Sequence, residues 1–490
     1  MSGVQRVSVL AAGVAAPALR LPAAEVAAAW GGGARGSLGI CDSDEDTLTL
    51  AWQAATEAIG AAGVSPDQIS GLWWGTTRPP FAEGPSLSFL AAALGLRADV
   101  EGALLAGSPH SGMEALFAAW DALASSHATL ALVVTSDALL PGLGTAGETT
   151  TGAGAAALLL GRDTGLARAS LVARATRSAP VVDRYRADGD SATGDVYDGR
   201  LFREEVYLPL MTEVARAVGA PGAWAVSDPD GKLSGALAKR LGAPLVSSRV
   251  QSVLGDTGAA ASLLDLIHAT SGDGDAPGLL GFIGYGGGRA SAVSVEVTGP
   301  VPGAQGVQSI LSAGQQVTYT KALRARGQLE AMADPIPMGL PPAGAAFARG
   351  NLEMLLFEGA RCADCGAIST PPSVHPACIA CGGTKLETVK LSRKGTVVTF
   401  VVNQTMPPPF AAPLPLVVID LADGARIMVQ GTPADAELLA VGDSVWLSLR
   451  RYALERGIPV YGYKARRFVQ VPAPQGPGET VAPVSAGGPT

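Results

Sequence analysis

The chain has 490 residues, 48% of them apolar and 16% charged, and a formal net charge of −8. That length and apolar content predict two or three domains with sizeable cores, and the negative balance argues against a nucleic-acid partner for the chain as a whole. Five cysteines exclude a disulfide framework, and no basic leader or apolar run of about 18 residues is present, so a cytoplasmic chain with no membrane partner is expected.

In chain order, residues 44–63 (DEDTLTLAWQAATEAIGAAG) place apolar side chains at helical spacing behind an acidic start. SGLWWGTT (70–77) reads as a buried strand and SLSFLAAALGL (86–96) as a second helix. SGMEALFAAWDALAS (111–125) is a third helix, followed by the apolar strand TLALVVTSD (129–137) and, after a Gly/Thr loop, the strand GAGAAALLLG (152–161). The unit of small residues, helix, strand, glycine loop and strand returns at 257–270, 278–288 and 289–297. The reading is α/β, with a duplicated fold and two buried central helices whose small residues let backbones approach closely.

The runs EDTLTLAWQAATEAI, GLWWGTTRPPFAEGPSLSFLAAALGL, ALVVTSDALL and GDTGAAASLLDLI resemble the hydroxymethylglutaryl-CoA synthase and ketoacyl-synthase III branch of the thiolase superfamily. DRYRADGDSATGDVYDGRLFREEVYLPLM (183–211) is similar to the synthase's mid-chain insertion. The resemblance implies a layered α/β/α/β/α domain in two halves, 1–165 and 166–298. It implies a nucleophilic cysteine at the start of the first central helix, where the dipole and local amides favour a thiolate. This sequence has AGSPHSGMEALF (106–117) there, with Pro109 or Ser108 at the cysteine position. Ser227 of SDPDGK stands at the family's histidine, Asp256 of Gly255-Asp256-Thr257 at its asparagine, and Thr77 at the synthase glutamate. Cys41 lies in a loop before the first long helix, away from the nucleophile's place.

The candidate catalytic residues are therefore Ser108, His110, Asp256 and Tyr285. Ser108 before Pro109 is a helix start, with Ser108 as N-cap, or an oxyanion donor. His110 is a satisfied buried histidine, or a general base and carbonyl donor. Asp256 is a cap, or a proton acceptor in a closed pocket. The resemblance implies that Tyr285, in the glycine loop GFIGYGGG, frames the pocket and donates to an enolate or aldolate oxygen. His127 and His268 read as structural, and GGGR (286–289) lacks the context of a phosphate loop.

Residues 299–350 are read as linker and helical lead-in, 351–392 as a zinc ribbon, 393–470 as a barrel and 471–490 as a disordered tail. CADC (362–365) and CIAC (378–381) each form a knuckle, and two knuckles offer four sulfurs to one ion. Cys362, Cys365, Cys378 and Cys381 are the expected ligands of a structural zinc, with His375 outside the set. Five β-branched runs follow, at 394–405, 414–422, 425–432, 444–452 and 458–467, which predict a small OB-type β-barrel. Residues 362–470 hold 11 Lys/Arg against 8 Asp/Glu with no basic stripe, so nucleic acid is not the expected ligand.

A rubredoxin-like four-cysteine ribbon followed by an OB fold resembles the acyl-CoA-associated zinc-ribbon/OB family, whose modules accompany thiolase-superfamily enzymes. The similarity extends over TYTKALRARGQLEAM (318–332) and FARGNLEMLLFEGARCADCG (347–366). The resemblances imply a coenzyme A thioester substrate and a homodimer through the thiolase-like domain, or a hetero-oligomer with another thiolase-superfamily chain. The expected activity is aldol- or Claisen-type carbon–carbon bond making or breaking without a covalent cysteine. The alternative is a non-catalytic subunit that binds acyl-CoA beside a Cys-bearing enzyme.

Overall fold

The computed structural model describes residues 6–125, 127–162, 167–194, 199–228, 234–246, 248–272, 278–329, 353–406, 410–455 and 458–467. The tail expected at 471–490 and parts of the expected linker and helical lead-in lie outside these residues.

Nine strands form one sheet: β1 (Val7–Ala15), β2 (Gly71–Gly75), β3 (Glu101–Leu105), β4 (Leu130–Ala138), β5 (Ala153–Arg162), β6 (Ala169–Ser178), β7 (Ala223–Val226), β8 (Gly278–Gly286) and β9 (Arg289–Val297). Their order is β3-β2-β4-β5-β1-β6-β9-β8-β7. It falls into two halves joined where β1 pairs with β6. In each half a parallel pair leads to an antiparallel one: β2–β4 and β4–β5, then β7–β8 and β8–β9. The second half reduces the counterpart of β3 to a single bridge, Trp224 to Leu245.

Helices α1 (Thr47–Ala62), α2 (Ser111–Ala124), α3 (Leu208–Ala217) and α4 (Ala261–Ala269) make the other layers. α2 and α4 share a buried cluster with the inward sides of the strands, while α3 packs on the opposite side of β8 and β9. The central layer is tight because its contacts are made by small residues. A Cβ on Gly112 would lie 2.2 Å from the Ala259 carbonyl oxygen, and one on Gly75 would lie 2.5 Å from that of Ser111.

α1 begins at a capping box. Asp46 accepts from the amides of Leu48 and Thr49 at 3.1 and 3.0 Å, and Thr49 Oγ1 accepts from Asp46 N at 2.8 Å. It ends at Gly63 in the left-handed region, φ 65°. Leu48, Leu50, Trp52, Ala54, Ala55, Ala58 and Ile59 are all buried, more than one face of a helix holds. Such an all-round apolar helix needs cover on two sides. The sheet supplies one and a second β-domain supplies the other.

That second domain has strands β10 (Lys394–Asn403), β11 (Leu414–Leu421), β12 (Arg426–Gln430), β13 (Ser444–Glu455) and β14 (Ile458–Arg467), in the order β12-β11-β10-β13-β14. The amide of Thr432 donates to the Ala465 carbonyl at 3.0 Å, so the end of β12 meets β14 and the sheet closes as a barrel. A three-stranded ribbon sheet of Glu358–Cys362, Ile368–Ser369 and Leu386–Lys390 precedes it. Among the described residues no helix is long and apolar enough to cross a membrane.

Barrel and α1 share one apolar cluster that includes Trp52, Leu90, Ile419, Leu447, Tyr461 and Tyr463. Trp52 meets Tyr463 edge-on at 5.7 Å, and the Arg393 guanidinium lies 4.8 Å from one ring and 5.1 Å from the other. Around this contact sits a buried charge lattice. Arg450 lies 3.2 Å from Glu45, each side chain 2% exposed, and Lys464 lies 3.4 Å from Asp44. Tyr461 Oη donates to Asp46 Oδ2 at 2.7 Å. Burial opposes the charge on Arg450, but Glu45 and Asp44 outweigh it and raise its pKa. The acidic run 42–46 is thus both the start of α1 and the seat of the barrel.

Removing one member of a buried pair strands the other charge. Arg450→Met should lower stability to urea by about 3–5 kcal/mol. The double variant Glu45→Gln/Arg450→Met should recover part of that loss in the same measurement.

Candidate functional site

The turn Gly107-Ser108-Pro109-His110 delivers the start of α2 against the β8–β9 hairpin. His110, not Ser108, is the cap residue, so the expected N-cap shifts by two positions. Ser108 Oγ instead accepts from the His110 amide at 3.2 Å, closing the turn that precedes the helix. The hairpin turn uses Gly287 and Gly288 at φ 55° and 72°, a geometry of the type I′ kind. Gly286 is required by contact: a Cβ there would lie 2.4 Å from His110 N.

His110 is 1% exposed, and both ring nitrogens are engaged. Nε2 pairs with Ser291 Oγ at 2.8 Å, and Ser291 Oγ pairs with Thr176 Oγ1 at 2.8 Å. Nδ1 lies 3.4 Å from Glu114 Oε1 on the next turn of α2, and Arg289 contacts the same carboxylate. The hydrogen bond from His110, and then the charges of His110 and Arg289, hold Glu114 below the usual carboxylate range.

Asp256 stands before the short turn Gly258–Ala260 that opens α4. Its Oδ1 accepts from Gly258 N at 2.9 Å and its Oδ2 lies 2.5 Å from Arg184 Nη2. The space beside Arg184, lined also by Leu139, Pro141, Thr151 and Thr193, is about 10 Å³. Ser227 is buried, with its amide on the Ile283 carbonyl at 3.0 Å.

Tyr285 does not join His110. Ser291 pairs across the hairpin with Gly284, and Tyr285 pairs with Ala290. Neighbouring positions on a strand face opposite ways. Ser291 and His110 therefore meet on the side of the central helices, while Tyr285 packs with Tyr207 (ring centroids 4.0 Å apart) and Phe202 in the outer layer. Its hydroxyl accepts from Gly288 N at 3.2 Å and bonds Asp183; burial and then the Asp183 charge push its pKa up. Asp183 and Arg184, adjacent in sequence, thus tie Tyr285 and Asp256 from one segment.

A residue absent from the expected set sits at the centre. Asp137, at the end of β4, is wholly buried. Its Oδ1 accepts from Thr76 Oγ1 (3.0 Å), Thr77 N (2.9 Å) and Thr77 Oγ1 (2.8 Å), and its Oδ2 from Ala259 N (2.7 Å). Thr77, at the glutamate position of the resemblance, is thus tied to the start of the second central helix. The signal was an aspartate closing an otherwise apolar strand.

Comparison with known proteins covers both parts of the chain. The family model "ChsH2, C-terminal OB-fold domain" matches residues 388–450. The hydroxymethylglutaryl-CoA synthase of Thermococcus sibiricus is 31% identical over 163 residues, 33% of this chain and 47% of that protein. That of Methanobrevibacter smithii is 27% identical over 220 residues, 43% of this chain and 63% of that one. The chain spans about half the length of the curated relatives it matches. The solved structure of MvaS in complex with 3-hydroxy-3-methylglutaryl coenzyme A aligns with a TM-score of 0.57 at 22% identity, over 68% of this chain and 94% of that one. That of 3-oxoacyl-(acyl carrier protein) synthase III from Pseudomonas aeruginosa gives 0.54 at 19%, over 61% and 100%.

The chain carries a thiolase-superfamily domain followed by an OB-fold domain. In the thiolase-superfamily domain Cys41 stands apart from α2. Burial, and then the nearby Glu45 and Asp46, raise its pKa far above the ordinary range, so it is held as a thiol rather than a nucleophilic thiolate.

Between the two domains, the sulfur atoms of Cys362, Cys365, Cys378 and Cys381 all lie within 4.8 Å of one another. The closest pairs, Cys362–Cys381 and Cys365–Cys378, are 3.7 and 3.5 Å apart. Those gaps exceed the roughly 2 Å of a disulfide. They suit a tetrahedral ion with metal–sulfur bonds of about 2.3 Å, whose sulfurs sit about 3.8 Å apart. Gly366 and Gly382, at φ 76° and 75°, close the two knuckles, their amides donating to the carbonyls of Cys362 and Cys378 at 2.9 Å. His375 is not part of the cluster.

Burial pushes the Asp137 pKa from 3.8 up to about 6, opposed by its four hydrogen bonds. The folded state holds this proton more tightly than the unfolded chain. Its contribution is full below about pH 4 and is lost as pH rises through about 6. Asp137→Asn has no such titration but cannot accept from Ala259 N. In urea unfolding the variant should be the weaker protein at pH 4.5, and the gap should close by about 2–3 kcal/mol by pH 7.5.

Proposed function

We propose that this chain binds acyl-CoA thioesters and serves carbon–carbon bond chemistry on them without forming a covalent acyl-enzyme. In this reading a Cys-bearing thiolase-like partner supplies the thiolate. The carrying observation is that the start of α2, where the superfamily keeps its cysteine, is filled. Pro109 and His110 press on the glycine hairpin, His110 is satisfied at both nitrogens, and Asp256 is closed by Arg184. A helix start so occupied offers neither an acceptor for an acyl group nor room beside one. Acyl-CoA as ligand is supported by the solved relatives described with coenzyme A and 3-hydroxy-3-methylglutaryl coenzyme A.

A second reading has a specific observation behind it. The relay Thr176–Ser291–His110–Glu114–Arg289, buried at Ser291 and His110, is more elaborate than a helix cap requires. It suits a proton-holding group for aldol or Claisen chemistry on a bound thioester, with Ser108 and Asp256 at the same end of the central helices.

The four cysteines are assigned a structural zinc, since all coordination positions are taken by protein. The exposed residues of β3 at the sheet edge support the homodimer expected through the thiolase-superfamily domain. Cytoplasmic location agrees with five unpaired thiols.

Mass spectrometry after incubation with acetyl-CoA and longer acyl-CoAs should show no acyl adduct on the chain, while calorimetry shows acyl-CoA binding. A stable thioester adduct would overturn the non-covalent reading. Turnover by the chain alone that is lost in His110→Ala but not in Cys41→Ala would favour the second. Metal analysis should return about one zinc per chain, and Cys365→Ser should lower it without altering acyl-CoA binding by the thiolase-superfamily domain.

A further inference from the structure

A cavity of about 250 Å³ opens where the thiolase-superfamily domain meets the barrel. Three arginines from distant parts of the chain line it: Arg78, Arg326 and Arg451. Arg451 is committed, with its amide on the Asp44 carbonyl and its Nη2 on that of Ser43, both at 2.9 Å. The other two have no ion-pair partner, although Asp137 favours the charge on Arg78 and Glu148 that on Arg326. Among the described residues neither Arg78 nor Arg326 has a carboxylate within ion-pair distance.

Arg326 follows the helix Tyr319–Ala325, which is pinned from the far side. Tyr319 Oη donates to Glu148 Oε1 at 2.6 Å, and Glu148 Oε2 accepts from Trp30 at 3.0 Å. Arg326 Nη2 reaches the Thr151 carbonyl at 3.3 Å, and Nη1 is covered by the protein with no hydrogen-bond partner. Burial brings its pKa down to about 10, so it remains charged at neutral pH. Arg78 uses Nη2 on the Ser191 carbonyl at 2.6 Å. A guanidinium that lines a cavity without an ion pair is best complemented by a planar two-oxygen acceptor.

The rest of the lining narrows the ligand. Glu45 is held by Arg450, and Asp46 by the α1 cap and Tyr461. Burial, and then Asp44, push Asp42 up to about 6. These three carboxyl groups disfavour a doubly charged phosphate more than a single negative charge. Leu139, Leu140, Leu454 and Pro459 supply apolar lining. We propose that this cavity is a binding site for a short aliphatic monocarboxylate, its carboxylate on Arg326 and Arg78 and its chain against those apolar residues. The site draws on both domains, and it does not depend on the acyl-CoA reading.

The test is thermal unfolding and calorimetry of the full chain with butyrate, hexanoate and octanoate, and with hexanamide and inorganic phosphate as controls. At least one acid should raise Tm in a saturable way below about 10 mM, while hexanamide and phosphate do not. Arg326→Gln should weaken that binding about tenfold or more, yet leave the ligand-free Tm unchanged or higher, since an idle buried charge is removed. Should that variant not fold, Arg78→Gln carries the same expectation for binding. Absence of binding by all three acids, an equal response to hexanamide or phosphate, or unchanged affinity in the folded arginine variants would each overturn the proposal.

Discussion

The structure turns on the seating of Asp44, Glu45 and Asp46 against Lys464, Arg450 and Tyr461. Ions of this kind are expensive to bury and need their partners in place. Here each has its partner, while Arg450 Nε and Nη1 are buried with no hydrogen-bond partner, and the consequence is geometric. The loop that starts α1 has its buried carboxylates paired by the barrel, and the barrel has no other charged seat of this kind among the described residues. The apolar side of α1, Trp52 foremost, is sealed by Tyr463 and Arg393 from the same barrel. The pairing therefore makes one body of two domains and creates the arginine-lined cavity at their join.

The same economy governs the interior of the thiolase-superfamily domain. Small residues bring α2 and α4 together, and Asp137 locks the strand end carrying Thr76 and Thr77 to the start of the second central helix. With Pro109 and His110 wedged on the hairpin and Arg184 across Asp256, the places of cysteine and asparagine are held by groups that each have partners of their own. A site closed in this way is stable and chemically quiet. That is the physical basis for reading the domain as a binder of thioesters rather than an acyl carrier.

Much of this was legible in the sequence where the determinants are local. Two C-x2-C knuckles twelve residues apart bring four sulfurs together because each knuckle is short and ends in glycine. The barrel strands followed their β-branched runs, and the repeated helix–strand–strand unit announced the duplication. What stayed hidden depends on register or on distance. The acidic run 42–46 read as ordinary helix-start charge, because the partner of Asp46 lies 415 residues further on. Tyr285 looked like a pocket residue because it sits in the glycine loop, yet its pairing with Ala290 turns it to the outer layer. β3 was missed because an exposed edge strand such as Glu101–Leu105 carries no apolar alternation.

The most direct measurement of the central claim is native-state hydrogen exchange on the full chain, comparing amides of α1 with those of β13 and β14. If the acidic seat makes one cooperative unit, their slowest amides open with the same free energy and the same urea dependence. Barrel amides that exchange through a separate opening of clearly lower free energy, with α1 still protected, would contradict it.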